Sequence, residues 1–295
     1  MTARTTEHLH DGAAGLDQRP PEQIASLLAE GQLAAATSVQ QAIPALCAGA
    51  EAMARALRSG GCLHYIAAGS SGLMAAADAQ ELGGTFSIPP AQLRIHMAGG
   101  LPTGVEMPGD TEDETDGLAR ALKTLTPTDT VIAVSASGST PYTVAGARLA
   151  NAQGATVIGI ANNAGSDLLN LADHPILLET PPEILSGSTR MGAGTAQKIA
   201  LNMLSTLMAV HLGHVHDGMM VNLTADNAKL RARARGIVAR IATVSDVAAT
   251  AALDAADGDV KTAILIAACG HGRAAAQAVL KETNGHLRPA LGRSA

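Results

Sequence analysis

The sequence predicts an α/β protein built on a doubly wound, five-stranded parallel sheet that is flanked by helices. Three observations predict this fold. Short apolar runs, which suit strands buried on both faces, alternate with longer helical segments. Glycine-rich loops follow the first and third apolar runs, as they do at the carboxyl ends of strands in such sheets. Hydrophobic residues make up 47% of the 295 residues and aromatic residues only 1%, so aliphatic side chains must form the core.

The chain is predicted to comprise three regions. Residues 1–60 form an N-terminal arm followed by two helices, near 21–30 and 33–58, with a break around Gly31. Residues 61–243 carry the sheet and its covering helices. Residues 244–295 show short apolar helical patterns that predict a small C-terminal three-helix module.

Five apolar runs are the predicted strands, and they lie at residues 62–67, 93–97, 130–134, 155–160 and 175–178. In the common strand order 2-1-3-4-5, the first and third strands are neighbours where the order reverses. Ligands bind doubly wound sheets at that point, beyond the carboxyl ends of the strands. The loops after these two strands are therefore the first place to look for a binding site.

Three loops are rich in hydroxyl groups and glycine. Their candidate ligand-binding residues are Ser70 and Ser71 in the first loop, Ser135, Ser137 and Thr140 in the second, and Ser188 and Thr189 in the third. Each loop precedes a predicted helix, whose free N–H groups and positive dipole end attract anions. A single such loop is explained by turn formation alone. Because three are expected to converge, we interpret them as a monophosphate site.

Two glutamates are candidates for general acid–base catalysis. Glu81 is predicted to end the helix after the first loop, where the chain reaches Gly83 and Gly84. Glu112 lies in an acidic cluster that is predicted to start a helix to about Leu125, so a solvated surface charge is the ordinary explanation for it. Catalysis by such a pair requires that one carboxyl donates a proton and the other accepts one.

Several classes of function are disfavoured by the sequence. The net charge is −6, without a long basic run, which argues against nucleic acid as a partner. An apolar run of about 18 residues, as a membrane span requires, is missing. The three cysteines lie in apolar surroundings and predict buried, reduced thiols in a cytoplasmic protein. The first loop nearly matches GxGxxG but lacks the later acidic residue, and three histidines near residue 214 complete no zinc pattern, so we expect no cofactor and no metal.

Longer motifs give a resemblance to a known family. The runs YIAAGSSG, DAQE, SASGSTPY, PPEILSGSTRMGAGTAQK and MMVNLTADNAKLRARA resemble N-acetylmuramic acid 6-phosphate etherases of the sugar isomerase (SIS) superfamily. The resemblance implies a SIS-like fold with residues 61–243 as its sugar-phosphate domain, and a homodimer. It also implies cleavage of the lactyl ether to N-acetylglucosamine 6-phosphate and D-lactate, with Glu81 and Glu112 as the catalytic residues.

Three basic residues of the family pattern are replaced in this chain, and two other functions stay open. Leu73 and Ser139 stand where the family usually has arginine, and Gly192 stands where it usually has lysine. One alternative is a phosphosugar isomerase on the same fold, which shifts the C2 proton to C1 and releases nothing. The other is a non-catalytic regulator that senses a sugar phosphate.

Overall fold

The computed structural model describes residues 5–293, and these form two compact units. Unit 1 comprises the described residues up to 80 together with 91–205. Unit 2 comprises residues 81–90 together with the described residues from 206 onward. The boundaries predicted at 60/61 and 243/244 divide the chain differently and stay predictions of domain limits.

Unit 1 contains the parallel sheet and most of the helices that cover it. Its strands are β1 (Leu63–Ala67), β2 (Leu93–Met97), β3 (Thr130–Ser135), β4 (Thr156–Ala161) and β5 (His174–Leu177). Its helices are α1 (Pro21–Ser38), α2 (Ile43–Arg58), α3 (Gly69–Phe86), α4 (Leu118–Ala121), α5 (Pro141–Ala152), α6 (Asp167–Leu171) and α7 (Gly192–His211), of which α3 and α7 continue into unit 2.

The five strands are all parallel, in the order β2-β1-β3-β4-β5. This confirms the predicted fold class and strand order. Ala67 at the end of β1 lies opposite Val134 of β3, so the loops after these two strands start side by side. Residues of β1 and β3 are buried throughout, which explains why they read as continuous apolar runs in the sequence.

Aliphatic side chains fill the core of unit 1, as the composition predicts. One cluster joins the sheet to α5 and includes Ile66, Val131, Val144 and Leu168. The buried Tyr65 is an exception, and its hydroxyl donates to Asp78 Oδ2 at 3.1 Å. Burial first, and then the Asp78 carboxylate, raise the pKa of the Tyr65 phenol well above its usual value.

Unit 2 is mainly helical. It contains a short hairpin, β6 (Val215–His216) with β7 (Met219–Met220), followed by α8 (Ala228–Ala242), α9 (Asp246–Ala255), α10 (Val260–Cys269), α11 (Arg273–Glu282) and α12 (Leu287–Arg293). The prediction of three helices after residue 244 is wrong, because the described part has four. They pack around Val238, Ala249, Ile264 and Leu265.

Glycines misled the prediction of helix limits in two places. The break around Gly31 is wrong, since α1 runs to Ser38 and a 3-10 turn, Val39–Ala42, separates it from α2. A β-carbon at Gly31 would lie 3.3 Å from Ile184 Cγ1, so this glycine gives room for a neighbour. The end of α3 near Glu81 is also wrong, because α3 continues to Phe86 and Ser87, with φ of 53°, ends it.

Two further predictions need correction. The acidic cluster does not start a helix to Leu125, because residues 109–113 form a 3-10 turn and α4 spans only four residues. The cysteines are not all buried, because Cys47 is exposed and the other two are half-buried. Within residues 5–293, no single helix is long and apolar enough to cross a membrane, although two bent helix pairs, α8 with α9 and α10 with α11, meet the length and composition required.

Candidate functional site

The loop after β3 brings four hydroxyl groups into one cluster. Ser135 Oγ lies 2.8 Å from Thr140 Oγ1 and 3.2 Å from Ser137 Oγ. Ser139 donates to Ser137 Oγ twice, from its backbone N–H and from its hydroxyl, both at 3.2 Å. Each hydroxyl can both donate and accept, so the cluster can reorient its protons toward the oxygens of a bound anion.

Backbone geometry fixes this loop at the start of α5. Gly138 adopts φ of 67°, and a β-carbon there would lie 2.2 Å from Ser166 Oγ, so only glycine fits. Thr140 precedes the helix without a side-chain capping bond, and Pro141 occupies the first helical position. The first turn of α5 therefore directs backbone N–H groups and the positive helix end toward the hydroxyl cluster.

The loop after β1 is shorter than predicted, because α3 starts at Gly69. Ser70 is half-buried and Ser71 is buried, and both lie in the first turn of α3. Glu112 reaches this turn from the loop after β2: a β-carbon at Gly69 would lie 2.5 Å from Glu112 Oε1. A carboxylate that the sequence alone presents as a surface charge is thus half-buried against the backbone of the first hydroxyl loop.

The third loop leads into α7 and holds an unpredicted carboxylate. Glu183 is buried, and its two oxygens each accept a backbone N–H at 2.9 Å, from Gly192 and from Ala193. Ser188 and Thr189 are half-buried in the turn just before the helix. The Glu183 carboxylate therefore already offsets the positive dipole end of α7. A ligand at this loop would be bound mainly by the hydroxyl groups of Ser188 and Thr189, and less by free N–H groups of the helix.

A buried asparagine after β4 was missed by the sequence analysis. Asn163 Nδ2 lies 3.2 Å from the Ala136 carbonyl and 3.4 Å from the Ser137 carbonyl, in the second hydroxyl loop. It also bonds to Thr6 of the N-terminal arm. Its position after a predicted strand could have identified it, because polar side chains directly after a buried strand lie at the ligand-binding edge of the sheet.

A group of possible metal ligands lies at the opposite edge of the sheet. The donor atoms of Cys62, His64 and Asp129 fall within 4.8 Å of one another, near the amino ends of β1 and β3. Asp129 accepts the Cys62 backbone N–H at 2.6 Å and the Thr126 backbone N–H at 2.7 Å. These bonds connect the residues just before β1 and β3, which explains why the three side chains lie close together. We assign no ion to the group.

Comparison with known proteins shows which family the chain belongs to. The SIS domain family matches residues 106–212. The N-acetylmuramic acid 6-phosphate etherase of Deinococcus radiodurans is 44% identical over 292 residues, which cover 98% of this chain and 95% of that protein. The etherase of Streptomyces avermitilis is 40% identical over 97% of this chain and 93% of its own length. The chain belongs to the N-acetylmuramic acid 6-phosphate etherase family. A relative in Rubrobacter xylanophilus is 38% identical over 97% of this chain and 95% of that protein.

Of the three positions that lack the basic residues of the etherase family pattern, Ser139 and Gly192 have local contacts that suit them. Ser139 joins the hydroxyl cluster, where it donates to Ser137. Gly192 lies against Glu183, and a β-carbon there would meet Glu183 Oε2 at 3.1 Å and the Ala35 side chain at 3.2 Å. Leu73 lies on α3, with an exposed side chain in its second turn. A hydroxyl group thus stands at the first of these positions, and at Gly192 the helix-capping carboxylate of Glu183 lies directly beside the backbone.

The second candidate catalytic residue of the etherase family pattern, Glu81, is exposed on α3. It lies three residues after Asp78, whose buried carboxylate accepts from Asn202 and from Ser205, both at 2.9 Å. Glu81 belongs to unit 2, whereas the three loops and Glu112 belong to unit 1. The pairing of Glu81 with Glu112 therefore stays a prediction.

Proposed function

We propose that this chain cleaves the lactyl ether of N-acetylmuramic acid 6-phosphate and releases N-acetylglucosamine 6-phosphate and D-lactate. The observation that carries the proposal is the hydroxyl cluster of Ser135, Ser137 and Thr140 at the start of α5, with Glu112 beside the adjoining loop. Hydroxyls and a helix N-terminus suit the phosphate group, and a nearby carboxylate suits proton abstraction.

The proposed chemistry is an elimination followed by addition of water. Ring opening exposes an aldehyde at C1, which makes the proton on C2 acidic. Glu112 removes that proton, the electron pair forms the C2–C3 double bond, and the C3–O bond to lactate breaks. Glu81 protonates the departing lactyl oxygen and then activates the water that adds to C3, while C2 regains a proton. The catalytic roles of both glutamates are part of the proposal.

The deciding experiment follows the substrate by NMR in deuterated water. Wild-type protein should release D-lactate and place deuterium at C2. We expect Glu112→Gln to stop exchange at C2, and Glu81→Gln to block lactate release while some exchange at C2 remains. Each rate should fall by about 10²- to 10⁴-fold, as is usual when a general acid or base is lost. Glu114→Gln, an exposed glutamate two residues from Glu112, is the matched control and should retain wild-type rates.

Other outcomes of that experiment would contradict parts of the proposal. Full exchange at C2 in Glu112→Gln would remove Glu112 as the base. Exchange in the wild type without lactate release would favour the isomerase alternative. Sugar-phosphate binding without exchange or lactate release would favour the regulator.

Phosphate binding by the hydroxyl loops has its own test. Ser137→Ala removes the hydroxyl at the centre of the cluster, and Ser71→Ala removes one in the first turn of α3. We expect each to weaken binding of N-acetylglucosamine 6-phosphate by roughly 10- to 150-fold, because hydrogen bonds to a charged group contribute about 1.5–3 kcal/mol. Calorimetric titration measures the change, with Ser59→Ala, an exposed serine after α2, as the control. Unchanged affinity in both variants would contradict the phosphate assignment.

The assembly, location and cofactor requirement are also proposals. We propose a cytoplasmic homodimer, as the family resemblance implies. We also propose that nucleic acid is not a partner, because the net charge is −6. Light scattering after size exclusion should give twice the 29.7 kDa chain mass.

Activity should survive dialysis against EDTA without added nucleotide. Loss of activity that zinc restores would instead indicate a required metal ion.

A further inference from the structure

Thr6 attaches the N-terminal arm to the residues that follow β4. Thr6 is 4% exposed, and residues 5–20 otherwise contain only exposed or half-buried side chains. The Thr6 backbone N–H donates to Asn163 Oδ1 at 3.3 Å, and Asn163 Nδ2 donates to Thr6 Oγ1 at 3.1 Å. The anchor is therefore a pair of reciprocal hydrogen bonds between residues that are 157 positions apart.

The partner of Thr6 also holds the second hydroxyl loop. Asn163 is 5% exposed, and its Nδ2 group faces the carbonyls of Ala136 and Ser137 at 3.2 and 3.4 Å. Ala136 and Ser137 are the backbone that presents the hydroxyl cluster. One buried amide thus joins the arm on one side to the candidate phosphate loop on the other.

The arm also approaches the third loop. A β-carbon at Gly187 would lie 4.0 Å from Glu7 Oε2, next to the turn that carries Ser188 and Thr189. Two successive arm residues, Thr6 and Glu7, therefore lie against two different loops of the site. Thr6, the one buried side chain among residues 5–20, therefore meets the residue that holds the candidate phosphate loop.

We propose that Thr6 and Asn163 are positioning residues of the sugar-phosphate site, which hold the Ser135–Thr140 loop in the conformation that binds the phosphate group. This inference rests on the proposed function for the identity of the ligand. Neither residue is catalytic. Asn163 Oδ1 accepts the Thr6 backbone N–H and Nδ2 donates to the Thr6 hydroxyl, so the two bonds together keep Nδ2 directed toward the two loop carbonyls. Without that hydroxyl, Asn163 keeps the bond from the Thr6 backbone but loses one of the two bonds that fix its amide, so the loop carbonyls are held less firmly.

The test compares three variants of the full chain. Thr6→Val keeps the side-chain shape and removes the hydroxyl, Thr6→Ser keeps the hydroxyl, and Thr5→Val changes the neighbouring threonine of the same turn. We expect Thr6→Val to raise KM and the Kd for N-acetylglucosamine 6-phosphate about 5- to 10-fold, as loss of one buried hydrogen bond does. Its kcat should stay within about twofold of wild type. Thr6→Ser and Thr5→Val should match wild type.

The outcomes separate positioning from mere stabilisation. A Thr6→Val protein with a lower Tm but unchanged affinity would overturn the proposal. If Thr6→Val does not fold, Asn163→Asp replaces the amide donors by acceptors that face two carbonyls, and it should weaken phosphate binding at least as much. Inorganic phosphate as a second probe keeps the test independent of the reaction. If the wild type releases no lactate, a raised Kd for phosphate in Thr6→Val still supports the positioning role of Thr6. A Kd equal to that of the wild type contradicts it.

Discussion

Glu183 caps the N-terminus of α7 with a single side chain. Its carboxylate accepts two backbone N–H groups of α7 and is itself buried, so it satisfies two of the donors that every helix start leaves open. Gly192 allows this close approach, because it has no β-carbon to push the carboxylate away. The charge and geometry at this end are set by the protein before a ligand arrives.

Replacing this carboxylate should destabilise the fold. Glu183→Gln keeps the shape but leaves one acceptor oxygen for two N–H groups and removes the negative charge. We expect the free energy of unfolding to fall by about 1–3 kcal/mol, the cost of a buried unsatisfied donor. Urea denaturation measures it, with Glu179→Gln, an exposed glutamate in the same connection, as the control. Equal stability in the two variants would contradict the capping role.

At the scale of elements, the strands were predicted within about a residue of their observed limits. Burial on both faces gives the inner strands β1 and β3 continuous apolar runs, which are a direct signal in the sequence. Helix limits were harder, because Gly31 and Gly84 both lie inside helices. Gly31 makes room for Ile184, whereas nothing lies within 4 Å of where a β-carbon at Gly84 would be. The sequence shows where a glycine stands, but it does not show which residue, remote in the chain, packs against it.

The candidate site was predictable in part. The hydroxyl loops follow directly from the strand order, because loop composition and topology are both readable in the sequence. Asn163, Thr6 and Glu183 were not found, because each acts through a partner that is remote in the chain or hidden in an ordinary turn. The contact of Glu112 with Gly69 was likewise invisible, since it depends on how the loop after β2 folds back.

The first two strands carry a stacked histidine pair that should make the fold sensitive to acid. His64 Nδ1 lies 3.1 Å from His96 Nε2, and the rings are parallel within 5°. Burial, His64 and Arg94 lower the pKa of His96 to about 4. Burial also lowers the pKa of His64, with Asp129 opposing this and Arg94 adding to it. Both rings are therefore neutral in the folded protein at pH 7.

The stability that this pair contributes should be present above pH 6.5 and lost as the pH falls toward 4. In that window the unfolded chain binds protons that the folded chain does not, so unfolding is favoured. Denaturation curves at several pH values measure the effect. His96→Gln removes one of the titrating rings and should flatten the dependence. A variant with the same acid sensitivity as wild type would contradict this origin.

At the scale of the whole molecule, stability should also depend on alkaline pH, through a buried lysine of unit 2. Unit 2 contains Lys261, which is 6% exposed and donates to the Gly285 carbonyl at 3.0 Å. Burial lowers its pKa from 10.5 to about 8, an effect that nearby Asp259 opposes. The folded protein therefore releases this proton at a lower pH than the unfolded chain does.

Stability should consequently rise between pH 8 and 10.5 by up to about 3 kcal/mol through Lys261, since the unfolded chain holds the extra proton there. Urea denaturation of wild type and Lys261→Met at pH 8, 9 and 10 measures the slope, which should be smaller in the variant. Lys281→Met changes an exposed lysine of the same unit and should keep the wild-type slope. A wild-type slope in Lys261→Met would contradict the assignment.

The end of α3 is bound by residues that follow it much later in the chain. Ser87 Oγ donates to the Asn222 carbonyl at 2.5 Å, and Asn222 Nδ2 donates to the Phe86 carbonyl at 3.0 Å. On the ribosome, residues 81–90 emerge more than a hundred residues before the rest of their unit begins at 206. At ordinary rates of synthesis this is a wait on the order of ten seconds. During that time the Phe86 carbonyl and the Ser87 hydroxyl lack Asn222, and the apolar side chains beside them, which are buried in the finished protein, precede most of the unit to which they belong.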